Sequence, residues 1–208
     1  KLAYLPSLGH VKLRLTGFGE DKMVVQKEIQ AQIDLVLPLI DKYIYGYDKE
    51  TLEMAIGKLL LSYKKTVSLA ESCTGGYISH LITTIPGSSN YFQGGIIPYH
   101  NQFKESLINV NHQTLSDYGA VSEATVKEMA KGVKKEFKSD FGLASSGVAG
   151  PGGGSPEKPV GTVWIACAGE GYVNTKKLQL TQDRLLNIQL TGVAVLNLLR
   201  ISILDKGK

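Results

Sequence analysis

Three groups of residues in the 208-residue chain have the types and spacing to do chemistry. The first is Ser68 to Gly76, S-L-A-E-S-C-T-G-G, which reads as a short strand, a polar turn and a helix start. It places a hydroxyl (Ser72) and a thiol (Cys73) at the end of a strand, followed by Thr74, Gly75 and Gly76. Free N–H groups at a helix start suit an anion, and a strand end suits a nucleophile. A serine needs a neighbouring base. No Gly-x-Ser-x-Gly elbow is present, and none of the four histidines sits in a motif that marks it as that base. Tyr99 and Lys104 follow the next expected strand, where adjacent strand ends bring them near Ser72, and a buried lysine can act as a base. Gly147 to Gly154, G-V-A-G-P-G-G-G, also follows a strand and offers backbone N–H groups to a phosphate, although no Gly-Lys-Ser/Thr closes it as a Walker loop. Arg184, in the first turn of the last helix, adds a cation.

Each of these has a plainer reading. Ser72 is equally placed to cap a helix, Cys73 to be a buried small residue, and Lys104 to be a solvated charge. Cys73 is also the rival nucleophile, because a thiolate forms more readily than an alkoxide. The glycine loop can be a flexible connection, and Arg184 can pair with Asp183.

The elements that must position these groups follow from periodicity. Val11–Thr16 alternates as a strand, Lys22–Ile40 is helical with Pro38 near its end, and Tyr43–Tyr47 reads as one more short strand. That is too little for an independent core. From Asp48, expected to cap a helix running to Lys65, helices and strands alternate. The strands are expected at Thr66 onward, Phe92–Tyr99 and Phe141–Ser146, and the helices at Thr74–Thr84, near 102–108 and 113–118, and after Ser122. Val160–Ala168 and Tyr172–Leu180 form a hairpin around Gly169-Glu170-Gly171, and Thr181 or Asp183 caps a long last helix. This pattern predicts a three-layer α/β/α fold with a mixed, mostly parallel five-stranded sheet and one antiparallel strand.

Composition bounds the rest. Apolar residues make up 43% and charged residues 20%, as in ordinary globular chains, and the net charge of +4 gives little reason to expect nucleic acid. Lys131, Lys134, Lys135 and Lys138 read as the wet face of one helix. Two distant cysteines suggest a reducing cytoplasm, and histidines without i+3 or i+4 partners suggest no metal. The run from Leu185 to Leu204 contains Asn187, Gln189, Asn197 and Arg200, so it reads as a buried or interface helix rather than a membrane span. A start at Lys-Leu leads us to expect a fragment of a longer protein.

Four ordered motifs then carry a resemblance. A-E-S-C-T-G-G (70–76), G-A-V-S-E (119–123), S-G-V-A-G-P-G-G-G (146–154) and K-P-V-G-T-V-W (158–164) resemble the C-terminal domain of the competence/damage-inducible CinA family, whose stand-alone members are known as PncC. The opening K-L-A-Y-L-P-S and V-K-L-R-L-T-G resemble the small KH-like linker of full-length CinA. The implied domains are residues 1–47 and 48–208, with the larger N-terminal CinA domain absent. The resemblance implies a nicotinamide-nucleotide amidohydrolase, without cofactor or metal, that converts nicotinamide mononucleotide to nicotinic acid mononucleotide and ammonia. It puts the nucleophile on Ser72 and the base system on Lys104 and Tyr99. Substrate contacts fall on Glu71, Thr74, Gly75, Gly76, Ser146, Gly147, Gly150 and Arg184. It also implies a homodimer in the cytoplasm. The sequence departs from the family at Pro98-Tyr99-His100-Asn101, usually Thr-Tyr-Ser-Asn, and at Thr181-Gln182-Asp183-Arg184, often Ser-Gly-Asp-Arg. A second reading is a nucleotide-sensing or assembly module. Gly17-Phe18-Gly19-Glu20 lacks the Gly-x-x-Gly loop with which KH domains clamp RNA, so nucleic acid is not expected there.

Overall fold

The computed structural model describes residues 1–206, and these fall into two compact units that divide between Lys49 and Glu50. In the first, β1 (Leu2–Ser7) and β2 (His10–Leu15) pair as an antiparallel hairpin, followed by α1 (Lys22–Ile40). Asp21 caps α1 by accepting from Met23 N at 2.7 Å and Val24 N at 3.3 Å. No residue of α1 is buried. One strand was not anticipated here, and one expectation is corrected. Leu2–Ser7 is a strand despite Pro6, which a two-stranded ribbon tolerates because both strands are edges. Tyr43–Tyr47 is not a strand: Asp41–Tyr43 forms a 3-10 turn whose Ile44 N–H donates to Asp41 O.

The second unit carries a five-stranded sheet in the order β4-β3-β5-β6-β7. The strands are β3 (Val67–Glu71), β4 (Phe92–Ile96), β5 (Phe141–Gly147), β6 (Thr162–Ala168) and β7 (Val173–Gln179). β3 pairs in parallel with β4 and β5, whereas β6 is antiparallel to both of its neighbours, so β6 alone is reversed. Every residue of β3 is buried, as expected of a strand covered on both faces. The helices form two outer layers. α2 (Leu52–Ser62) and α3 (Tyr77–Thr83) pack with α7 (Arg184–Lys206). On the other face α4 (Asn101–Ile108) and α5 (His112–Tyr118) pack on α6 (Glu123–Glu136). Ile108, Val126, Met129, Val133, Ala144 and Ala166 form the core between α6 and the sheet. Gly132 lets α4 and α6 approach, since a Cβ there would lie 1.9 Å from Ile108 O.

Helix starts differ from the sequence reading in two places that matter for function. α2 is capped by Thr51 rather than Asp48, and it ends at Ser62. α3 begins at Tyr77 rather than Thr74, because Gly75 (φ 59°) and Gly76 (φ 95°) take left-handed conformations that a helix cannot use. α7 has the length and hydropathy of a membrane span, yet half of that stretch is buried inside the unit and it buries Asn187, Thr191, Arg200 and Ser202. It is a core helix. Asp183 caps it, accepting from Leu186 N at 2.7 Å.

Candidate active site

The parallel arrangement of β4, β3 and β5 brings three C-terminal strand ends side by side, the usual crevice for ligands in α/β sheets. β3 delivers Glu71 and Ser72, β5 delivers Ser145, Ser146 and Gly147, and the turn after β4 delivers Pro98 and Tyr99, with Lys104 on the first turn of α4. Ser72 is pinned by its backbone, whose N–H donates to Ser145 O at 3.0 Å. Its hydroxyl has no hydrogen-bond partner among the described residues and is not sealed from solvent, since Tyr91 Oη is the one buried unpaired side-chain oxygen or nitrogen there. That leaves Ser72 Oγ available to a ligand.

Lys104 is 1% exposed. Its Nζ donates to Pro98 O at 2.9 Å and Tyr99 O at 3.2 Å, and no carboxylate pairs with it among the described residues. Burial pushes its ammonium below the ordinary lysine value, with the nearby Cys73 sulfur acting in the opposite sense. A neutral amine satisfies two carbonyls with its two hydrogens and keeps one lone pair, which is the form a base needs. No direct hydrogen bond joins Lys104 Nζ to Ser72 Oγ. The Cys73 thiol, beside Ser72, is pushed up to about 12 by burial, although contact with Ser145 acts against it. It is protonated at neutral pH and a poor rival nucleophile.

Tyr99 is 59% exposed, and its phenol oxygen accepts from Arg184 Nη2 at 3.0 Å. Its side chain therefore meets Arg184, and only its backbone carbonyl meets Lys104. Arg184 Nη1 also donates to Gly150 O at 2.8 Å, so the guanidinium ties the glycine loop to the turn after β4 rather than pairing with Asp183. Gly150 has φ 92°, and a Cβ there would lie 2.5 Å from Val160. Gly147 ends β5 against Thr162 and Val163, too close for any side chain. The N–H groups of Gly152, Gly153 and Gly154 have no acceptor among the described residues. Ser146 Oγ donates to Ala120 O at 2.7 Å, so towards a ligand it can only accept.

Glu71 and the first turn of α3 differ most from the sequence reading. Glu71 is 1% exposed, and its carboxylate accepts five hydrogen bonds. Oε2 takes Thr74 Oγ1 (2.7 Å), Gly76 N (3.2 Å) and Ile78 N (3.0 Å), while Oε1 takes Ser79 N (2.8 Å) and Ser79 Oγ (2.7 Å). The anion that the α3 N-terminus favours is thus the protein's own. Glu71 has no capacity left for a ligand. The Thr74 hydroxyl is also consumed, by Glu71 and by Ser145 Oγ at 2.8 Å. Gly75 N donates to Ser72 O and Gly76 N to Glu71, so of the three residues expected to offer N–H groups only Thr74 keeps a free one.

The model of the CinA C-terminal domain matches residues 49–203. This chain belongs to the CinA family. A CinA-like protein of Cytophaga hutchinsonii is 54% identical over 199 residues, covering 96% of this chain and 48% of its own length. A putative competence-damage inducible protein of Halothermothrix orenii is 47% identical over 191 residues, covering 91% of this chain and 46% of its own. The chain spans about half the length of these curated CinA relatives. Among solved structures, the competence/damage inducible protein CihA of Agrobacterium tumefaciens matches with a TM-score of 0.72 and 36% identity, over 77% of this chain and 98% of that one. A CinA superfamily protein of Klebsiella pneumoniae matches with a TM-score of 0.72 and 28% identity, over 74% and 96%.

Two site residues of this CinA chain escaped the sequence reading, Ser145 and Ser79. Ser145 sits in strand register with Glu71 and joins Thr74 to β5. Its signal was present: two adjacent serines, Ser145 and Ser146, end a buried strand, and alternation sends them to opposite faces. Ser79 lies inside a helix and gave no signal.

Proposed function

We propose that this CinA chain is an amidohydrolase that converts nicotinamide mononucleotide to nicotinic acid mononucleotide and ammonia. The observation that carries the reading is a fully buried lysine amine without a carboxylate partner, held at the same strand-end crevice as an unpaired serine hydroxyl. Ser72 Oγ attacks the carboxamide carbon as Lys104 takes its proton, in a geometry that a bound substrate closes. The Thr74 N–H faces the developing oxyanion, a contribution of about 3 kcal/mol. The Lys104 ammonium returns its proton to the amide nitrogen, the C–N bond breaks, and ammonia leaves. Water, deprotonated by Lys104, then hydrolyses the ester and releases the carboxylate and Ser72. Arg184 keeps N–H donors beyond the two it gives to Gly150 and Tyr99, and with the glycine-loop N–H groups it holds the 5′-phosphate. Tyr99 acts through Arg184 and through its carbonyl on Lys104.

The test is steady-state ammonia release from nicotinamide mononucleotide. The wild-type chain turns over, and Ser72→Ala and Lys104→Ala lose the activity. A Ser72→Ala protein with near-normal turnover overturns the assignment, and so does a fully active Lys104→Ala protein.

A further inference from the structure

The exposed and half-exposed lysines of α6 border a surface cleft. Lys127, Lys131, Lys134, Lys135 and Lys138 line one wall of a cleft of about 900 Å³. The opposite wall is Ala168, Gly169, Gly171, Tyr172 and Val173, from the turn joining β6 to β7. The volume lies in the range of small-molecule sites. The cleft opens at the N-terminal end of β5, beside Ser139, whereas Ser72 lies at the opposite end of the sheet, about 20 Å away along a seven-residue strand.

Its electrostatics are one-sided. Lys127 is paired with Glu123 at 2.6 Å. Lys131, Lys134, Lys135 and Lys138 have no ion pair or hydrogen bond through their side chains among the described residues. The acids near the cleft are fewer than its free lysines. Asp140 is bound by Lys65 at 2.8 Å and by Thr66, and Glu136 falls on the other flank of α6, which leaves Glu170 in the turn itself and Asp205, whose charge reaches Tyr172. Four unpaired ammonium groups beside a small apolar wall suit an anion that concentrates several negative charges in a short length. The basic stripe is also bounded, by Glu123 at one end and Asp140 at the other. A long polyanion needs a basic track that continues, and the four unpaired lysines span only residues 131–138, about two helical turns.

We propose that this cleft is a second ligand site, distinct from the Ser72 crevice, which binds a compact linear polyphosphate such as the triphosphate of a nucleoside. Calorimetric titration of the full chain at about 50 mM salt tests it, with inorganic tripolyphosphate, ATP, AMP and a short single-stranded DNA as probes. Tripolyphosphate and ATP bind once per chain, and AMP binds at least about tenfold more weakly. The double variant Lys134→Glu/Lys138→Glu weakens tripolyphosphate by about tenfold or more, while Lys22→Glu/Lys27→Glu, with the same change in net charge on α1, stays within about twofold. ATP binding tighter than tripolyphosphate assigns the Tyr172–Val173 wall to a base, and equal binding assigns recognition to the phosphates alone. Either keeps the proposal. Absence of tripolyphosphate binding overturns it, as does AMP binding that is as tight as ATP and equally weakened by Lys134→Glu/Lys138→Glu, equal loss in the α1 control, or tighter binding of the DNA than of tripolyphosphate. None of these outcomes depends on amide hydrolysis.

Discussion

Replacing Glu71 by Gln changes one atom and removes one charge, and its cost can be worked from the five donors that the carboxylate accepts. The amide offers one oxygen and one NH2. With NH2 at the Oε1 position, the Ser79 hydroxyl can rotate to accept, but the Ser79 N–H cannot. With NH2 at Oε2, the backbone N–H groups of Gly76 and Ile78 both lose their acceptor. The first orientation is cheaper, and it still leaves one buried backbone donor facing another donor. Such a donor costs about 1–3 kcal/mol, and loss of a charge-assisted acceptor at the helix N-terminus adds about 1 kcal/mol. Glu71→Gln is therefore expected to destabilise the chain by about 3 kcal/mol, or roughly 6–12 °C in Tm for a unit of this size. The same loss loosens the Ser72–Gly76 turn, so kcat for amide release falls by at least about tenfold even where the protein is fully folded. Urea unfolding followed by circular dichroism, with ammonia release measured well below the transition, checks both. A loss of stability below about 1 kcal/mol with unchanged kcat would refute the view that this carboxylate organises the turn.

Three further outcomes are expected. Lys104→Met lowers kcat by about 10³-fold, the usual size of a general-base contribution. Because burial depresses the Lys104 value in the folded state, the unfolded chain binds the extra proton, and the wild type gains stability as pH rises from its folded value towards 10.5. Lys104→Met removes this titration, so its Tm lacks the rise with pH that the wild type shows over that range, as Tm against pH will show. Cys73→Ala keeps kcat within about threefold, because a thiol at about 12 is almost wholly protonated at pH 7, and ammonia release measures this directly. Gly132→Ala forces a Cβ to within 1.9 Å of Ile108 O and costs about 3 kcal/mol in denaturant unfolding.

The layer order and the meeting of the β3, β4 and β5 ends were legible because parallel strands put their C-terminal ends together, and Ser72 and the glycine loop directly follow strands. The lone reversed strand was legible too, from the tight Gly169–Gly171 turn. The opposite fate of Glu71 was not. A carboxylate adjacent in sequence to a candidate nucleophile reads as a ligand group, and only the left-handed Gly75–Gly76 turn swings the first N–H groups of α3 back onto it. Arg184 and Tyr99 meet across 85 positions of sequence, a contact that no local pattern encodes. In the opening unit Pro6 masked a strand, because its pairing with Val11 depends on a partner strand rather than on propensity. The lysines of α6 read as a solvated face and are exposed or half-exposed, while the cleft they border depends on a hairpin more than thirty residues further on.

The central claim is that the Ser72 oxygen becomes covalently bound to the substrate's carbonyl carbon. Acid quenching of wild-type protein during turnover of nicotinamide mononucleotide, followed by proteolysis and mass spectrometry, examines it most directly. The expected result is a nicotinoyl-nucleotide ester on the peptide carrying Ser72, absent from Ser72→Ala and unaffected in Cys73→Ala. An adduct on Cys73, or product formation with no adduct on either residue under single-turnover conditions, contradicts it.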